Sequence, residues 1–449
     1  MPAQAIPFSE AIGRRPMAAF QWITVFICMA VLVSDGIDMQ LLGILAPLVM
    51  ADFGVDRSTF GIAMSAALIG FGLGAWGGGR LGDVAGRRLA MALAALVFSV
   101  ATIAAGHATG VWSLAGWRIV GGLGFGGAYA NSLAMAGEWQ PPRLRAITVS
   151  VLAVGTPIGG TVVGWLGPAL AADHGWRGAF LLFGSATLVL VAVVLLVLRD
   201  SPSFLLARGR DAQAARVAAR VLPASAPLAP ERDAAGDGES VGVLDRSNLR
   251  FNTGIGLAFA SAAMIAYGIL NWSTTILTAA GFTLADASHV LSLAGITSMG
   301  GAIVSGILTR RYGSRRYIVW LGALSLLLML ASMAAILRLP PVPTAAERLP
   351  VVVLIGAAGA VFSGAISTMY VVMVFGYPQS CRSAGIGFGI FMSRVGAIAA
   401  SGLGGVLLDW GGGSVVPFFL VLAGFALLLA AAALVIDRHV PPMARGAAA

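Results

Sequence analysis

The chain contains no lysine: all 28 of its basic residues are arginine. Charge of either sign is scarce, at 10% of 449 residues, against 58% hydrophobic residues. No soluble chain hides that much apolar surface, so a multi-domain soluble protein is excluded and a polytopic membrane protein is implied. Cysteine is almost missing. Cys28 and Cys381 lie in or beside apolar segments without metal-type spacing, so neither a disulfide nor a metal cluster is expected. There is no nucleophile–base pair and no sizeable soluble domain, which leaves a membrane enzyme or sensor without machinery. No cofactor is expected. A cleavable signal peptide is lacking as well: the first apolar run is too long and too acidic for one and reads as a spanning helix.

What the chain does have is glycine and arginine in particular places. Sixty glycines suit helices packed closely through small residues. The net charge of +9 comes from arginines that flank apolar segments. They read as topology signals and contacts to anionic lipid, not as a nucleic-acid surface. Apolar segments fall at about 20–49, 59–79, 88–107, 111–139, 145–171, 180–198, 251–279, 285–308, 316–337, 350–374, 380–408 and 415–435, each near the roughly 20 residues that a helical span needs. The expected fold is all-α, with twelve transmembrane helices in two six-helix bundles, 1–198 and 251–449. Between them, 199–250 reads as a cytoplasmic linker, with a short Ala/Arg-rich surface helix to about Arg220 and a flexible part from Pro223 to Asp245. With the N-terminus placed in the cytoplasm, 22 arginines fall inside and 4 outside, which orients both termini and the linker to the cytoplasmic face. Arg118 and Arg394 are left over, within spans.

The first segment carries Ser34-Asp35-Gly36-Ile37-Asp38. A carboxylate inside a membrane helix costs a few kcal/mol, so such residues normally face a cavity or a partner. Asp35 and Asp38 are three apart and share a helix face. At about 1.5 Å per residue, Asp35 and Arg394 come near the midplane, and Arg118 lies about 10 Å below the outer end of its segment. An arginine keeps its proton and its fork fits a carboxylate, so Arg394 and Arg118 are the candidate anchors for an organic anion. Asp35 and Asp38 are the candidate proton carriers, although either aspartate could instead serve only to neutralise one of these arginines. Flat walls for an aromatic ligand are available in Tyr267, Asn271 and Trp272 of segment 7 and Tyr129 of segment 4. The glycine run Gly121–Gly127 follows no strand, so it is read as a helix-packing surface and not as a nucleotide loop. Pro157, in Gly155–Gly160, is expected to bend segment 5. His289 is read as a solvated histidine near the outer end of segment 8.

Two stretches recur. Gly79 to Arg88 (GRLGDVAGRR) closes segment 2 and Gly306 to Arg315 (GILTRRYGSR) closes segment 8. Pro142–Ala146 opens segment 5 and Gln379–Ser383 opens segment 11. Related halves place a binding site between them near the midplane.

On these residues the chain resembles the major facilitator superfamily. Gly79, Asp83, Gly86, Arg87 and Arg88 match its loop signature, with Val84 standing where a basic residue is usual. In the second-half copy Arg310 stands at the acidic position and Ser314 at a basic one. The resemblance implies a gating role for this loop, joined by Glu138 and Arg145 at the same membrane face, with Glu138 expected to pair with Arg143, Arg145 or loop arginines. More narrowly, Asp35-Gly36-Ile37-Asp38, the run from Arg118 to Gly127, the stretch from Tyr377 to Arg382 and Arg394-Val395-Gly396 are similar to the aromatic acid:proton symporter family. That resemblance implies proton-coupled uptake of a small aromatic carboxylate such as benzoate or a hydroxybenzoate, by alternating access, across a bacterial-type inner membrane. The alternatives are a carrier of another organic anion and a drug-type exporter. The expected partners are the organic acid, protons and the lipid bilayer; no nucleic acid is expected, and the carrier is expected to be monomeric.

Overall fold

A computed structural model describes residues 6–13, 15–223, 228–230, 242–378 and 381–443. Arg14, Arg232 and Arg445 of the topology argument, Gln379 and Ser380 of the repeat, and most of the flexible part of the linker lie outside these residues.

A short strand β1 (Ile6–Pro7) leads into α1 (Phe8–Gly13) and the first long helix, α2 (Ala19–Ile44). The first span was expected to run unbroken to residue 49, but it stops at Leu45 and resumes as α3 (Ala46–Phe53). Pro47 explains the break. It has no N–H to give the Gly43 carbonyl, and that carbonyl instead accepts a hydrogen bond from the Thr274 hydroxyl. α4 (Arg57–Ala85) is capped by the Asp56 carboxylate, which accepts from the Thr59 N–H at 2.9 Å. Then come α5 (Arg87–Gly106), α6 (Val111–Trp139), α7 (Pro142–Leu152) and α8 (Gly155–Val197). The expected bend in segment 5 is the gap between α7 and α8, where Pro157 cannot donate to the Ala153 carbonyl. α8 is 43 residues long but contains a non-helical Gly175 (φ 69°), so it is two helices joined at a turn.

The linker forms α9 (Pro202–Ala207), α10 (Asp211–Ala218) and β2 (Leu228–Ala229), which pairs in parallel with β1. The surface helix expected there is thus two short helices. The second half runs through α11 (Arg246–Ala279), α12 (Leu284–Tyr312), α13 (Ser314–Leu337), α14 (Ala345–Gly376), α15 (Arg382–Trp410) and α16 (Val416–Val435). Among the described residues ten helices are long and apolar enough to cross a membrane: α2, α4, α5, α8 and α11 to α16. The 29-residue α6 and the turn inside α8 leave room for two further crossings.

In the first half α4 packs on α6, α2 on α8, and α5 on both α6 and α8. In the second, α12 packs on α14, α11 on α15 and α16, and α13 on α14 and α16. The glycine run of α6 is the packing surface expected. A Cβ on Gly126 would come within 2.1 Å of the Phe71 carbonyl oxygen, so α4 and α6 meet at backbone distance.

The halves meet through α4 with α15, α8 with α12, and α2 with α11. Among the described residues four hydrogen bonds join them. Ser58 N–H donates to Asp409 Oδ2 (2.7 Å), Ser65 Oγ to Ile398 O (3.2 Å), Thr274 Oγ1 to Gly43 O, and Ser292 Oγ to Thr161 O (3.1 Å). All four lie from mid-bundle toward the arginine-poor end, where α2 ends and α4 begins. Toward the arginine-rich end no hydrogen bond joins the halves among the described residues.

Candidate functional site

Asp35 and Asp38 project from α2 and are 2% and 3% exposed. Their surroundings differ. Asp38 is saturated: one carboxylate oxygen pairs directly with Arg118 Nη1 from α6, and the other accepts from the Thr102 hydroxyl of α5 at 2.6 Å. Arg118 is 4% exposed and also reaches the Asp38 carbonyl, while its Nε has no partner among the described residues. Asp35, one turn nearer the arginine-rich end, forms no ion pair among the described residues. Its Oδ1 is buried without a partner, beside the Thr156 side chain of α8 and within electrostatic reach of Arg394, Asp38 and Arg118.

Arg394 of α15 is half-buried and faces both halves. Its Nη1 donates to the Tyr267 hydroxyl of α11 at 2.9 Å. Its guanidinium lies 4.0 Å from the ring centre of Phe71, on α4 in the other half. Tyr129 packs beside Phe71 at 5.7 Å, and Tyr370, edge-on to Phe259 at 5.3 Å, lies within electrostatic reach of the same cation. The Phe71 face holds the cation by its quadrupole without neutralising it. No carboxylate pairs with it, and its buried Nε has no hydrogen-bond partner, among the described residues.

The structure brings Asp35, Asp38, Arg118, Arg394, Tyr267, Asn271 and Tyr129 into one region between the halves. Trp272 is turned away from it. It is fully buried, donates from Nε1 to the Ser401 carbonyl at 3.2 Å, and lies against Gly404 and Gly405, packing α11 onto α15.

The loop at the arginine-rich end of α4 forms a separate cluster. Arg87 pairs with Asp83 (2.5 Å) and with Glu138 (3.0 Å), and donates to the Gly79 carbonyl at 3.3 Å. Glu138 therefore pairs with a loop arginine and not with Arg143 or Arg145. Arg145 is exposed and reaches only the Gln140 carbonyl, at 3.4 Å, among the described residues. The linker closes onto the same loop: Ser201 Oγ donates to Glu138 (2.6 Å), Arg88 N–H to Asp200 (2.9 Å) and Arg208 to the Asp83 carbonyl (2.8 Å). Gly86 (φ 99°, ψ 147°) and its counterpart Gly313 (φ 82°, ψ 143°) adopt the same left-handed turn, so the faint repeat in the sequence is a repeat of backbone shape. His289 is not simply solvated: it is half-buried and stacks on Trp165 of α8 at 4.2 Å.

Sequence reasoning missed Thr102, Phe71, Ser201 and Asp200. A hydroxyl in a third helix and one phenylalanine among 21 carry no local signal.

Residues 27–374 match the family described as Major Facilitator Superfamily. The chain belongs to the major facilitator superfamily. Among its relatives, this facilitator is 29% identical to the gallate transporter of Pseudomonas putida, over 97% of its own length and 95% of the relative's. It is also 29% identical to the 4-hydroxybenzoate transporter PcaK of Pseudomonas aeruginosa, over 89% of each chain. Among solved structures, the xylose transporter XylE of E. coli in a partially occluded inward open conformation superposes with a TM-score of 0.70 at 16% identity, covering 92% of this chain and 97% of that one. The facilitator fold is thus met in both sequence and structure, and the molecule is a multi-pass membrane transporter.

Proposed function

We propose that this facilitator imports a small aromatic carboxylate together with a proton, by alternating access of two bundles, 1–198 and 251–449, rocking about the site between them. The carrying observation is Arg394: a membrane-depth cation without a carboxylate partner among the described residues, lying on the Phe71 face and bonded to the Tyr267 hydroxyl, with Tyr129 and Tyr370 near by. A ring with a carboxylate fits both features. The carboxylate takes the free guanidinium edge in a charge-assisted pair, and the ring replaces solvent against aromatic faces. The named relatives carry gallate and 4-hydroxybenzoate, which are acids of this kind.

Asp35 is the proton site in this reading. Its unpartnered oxygen is free to take a proton, whereas both oxygens of Asp38 are held. Arg118 is then the partner that makes Asp38 tolerable in the membrane. The arginine bias supports an orientation with both termini and the linker in the cytoplasm of a bacterial inner membrane. The hydrogen bonds that join the halves gather toward the arginine-poor end, which supports an arrangement closed on the outside. The loop cluster of Asp83, Arg87, Arg88 and Glu138 is the latch that the opposite state would remodel. The carrier acts as a monomer.

Uptake of radiolabelled benzoate and hydroxybenzoates into proteoliposomes tests the proposal. An inward-directed proton gradient is expected to drive accumulation. In Asp35→Asn that accumulation disappears while exchange of labelled for unlabelled acid persists, because exchange needs no net proton movement. Gradient-independent uptake by the wild type, or concentrative uptake by the variant, overturns the coupling. Net export in inverted vesicles identifies an exporter instead.

A further inference from the structure

A groove of about 390 Å³ lies between α11 and α15 toward the arginine-rich end, with Leu244, Leu249, Gly256, Leu257, Phe388 and Met392 in its wall. We infer that this groove holds one acyl chain of an anionic phospholipid, with the lipid's phosphate held by Arg246 and Arg382 at its mouth. The site is independent of the transported substrate.

Three observations carry it. The first is where the groove opens. Phe388 and Met392 continue, at spacings of three and four residues, an apolar stripe of α15 that runs through Val395, Ala399, Leu403, Val406 and Trp410, most of it exposed. Arg394 leaves the same helix about half a turn away from Met392 and reaches the site between the halves. The groove therefore faces the bilayer and not the substrate.

The second is the lining. Gly256 makes the room: a Cβ there would meet the Met392 side chain at 3.3 Å. The two polar side chains in the wall are already engaged. Asn252 donates to the Val243 carbonyl (2.8 Å) and accepts from the Tyr377 hydroxyl (2.6 Å), and the Thr253 hydroxyl donates to the Leu249 carbonyl (2.9 Å). Such a wall suits hydrocarbon, and the volume is in the range that ligands fill.

The third is charge at one end only. Arg246, Leu249, Thr253, Gly256 and Ala260 follow one another at three and four residues along one face of α11, so Arg246 stands at the groove's arginine-rich end. Arg382 opens α15 at the same level, because Asn248 reaches its neighbour Cys381 at 3.7 Å. Other arginines near by are occupied: Arg250 donates to the Val435 carbonyl (3.1 Å) and Arg438 to the Gly376 carbonyl (3.0 Å). The Arg246 and Arg382 side chains form no ion pair among the described residues, and Arg382 Nε is buried without a partner there. The adjacent acid, Asp245, turns to the Ser247 N–H at 2.8 Å. Two uncommitted guanidinium groups beside an apolar slot match a phosphodiester with its chain. Free phosphate would use the arginines and leave the slot unfilled.

Native mass spectrometry of the delipidated full-length protein in detergent tests the assignment. The probes are phosphatidylglycerol and phosphatidylcholine with the same chains, and inorganic phosphate. The wild type is expected to retain one phosphatidylglycerol, in preference to phosphatidylcholine by at least about fivefold, and no inorganic phosphate. Thr253→Trp, which fills the groove, should lose that lipid. The double variant Arg246→Gln, Arg382→Gln should retain the two lipids alike, since each arginine near a headgroup contributes about fivefold. Equal retention of the two lipids by the wild type, or an unchanged preference in the double arginine variant, overturns the inference. Inorganic phosphate held equally by the wild type and Thr253→Trp identifies a free-anion site and overturns it too, as does a lipid-free dimer that Thr253→Trp takes apart. If Thr253→Trp does not fold, the wild-type probes and the arginine variant decide the matter.

Discussion

Arg118 and Arg394 are both arginines at membrane depth, and they have been given opposite company. Arg118 sits in a closed set within the first half: Asp38 neutralises it, Thr102 holds Asp38, and the pair is almost wholly buried. Arg394 has aromatic faces and one tyrosine hydroxyl, reaches across to Phe71 of the other half, and meets no carboxylate among the described residues. A neutralised buried cation is a structural element whose loss strands its partner. A cation held by a ring face and a neutral hydroxyl keeps its full charge. The two positions therefore contrast a closed ion pair within the first half with an arginine that reaches between the halves, and Asp35, within electrostatic reach of both, forms an ion pair with neither.

The sharpest break of this comparison is at Arg394. Arg394→Gln is expected to weaken binding of an aromatic acid by about 100-fold or more, because the substrate carboxylate loses its charged partner. Its thermal midpoint should stay close to that of the wild type, since only the Tyr267 bond and the Phe71 stack are given up. Arg394→Lys should recover part of the affinity but not all, because an ammonium lacks the planar fork. Calorimetry of ligand binding and a thermal melt of the same preparation measure the two halves of the statement. A large loss of stability in Arg394→Gln would make Arg394 a structural residue like Arg118.

The converse test is at Asp38. Asp38→Asn leaves Arg118 buried and uncompensated, a loss on the order of 3–5 kcal/mol. The double variant Asp38→Asn, Arg118→Met removes the stranded charge and should melt well above the single variant. A single variant that melts like the wild type but no longer accumulates substrate would transfer the proton from Asp35 to Asp38.

Much of this was legible from the chain alone, and the limit has a physical form. Hydropathy and arginine placement imposed an all-α membrane fold because a bilayer permits so few alternatives. Asp35, Asp38, Arg118 and Arg394 stood out because charge is costly where they lie. Which aspartate pairs with which arginine was not legible, because it depends on Thr102 and Thr156, hydroxyls contributed by α5 and α8. Phe71 was invisible for the same reason, as was the fate of Trp272, whose neighbours Ser401, Gly404 and Gly405 are over a hundred residues away. Helix boundaries failed where proline acts at a distance of four residues: the break at Leu45 answers to Pro47 and is sealed by Thr274 from the other half.

The smallest effect separates the two related loops. Gly86 and Gly313 share a backbone conformation that side chains avoid, so alanine at either costs on the order of 1–3 kcal/mol. Their neighbours differ. A Cβ at Gly86 would come within 2.8 Å of the Asp200 carboxylate, which also caps the Arg88 N–H, whereas at Gly313 the nearest atom is 3.1 Å away, on the Pro442 ring. Gly86→Ala should therefore destabilise more than Gly313→Ala, and it should also loosen the linker from the Asp83–Arg87–Glu138 cluster. Thermal melts rank the two variants, and protease sensitivity of the segment around Asp200 to Arg208 reports the loosening. Equal melts with an undisturbed linker would mean that Asp200 is not holding this loop, and the two halves would then be alike in turn and in anchorage.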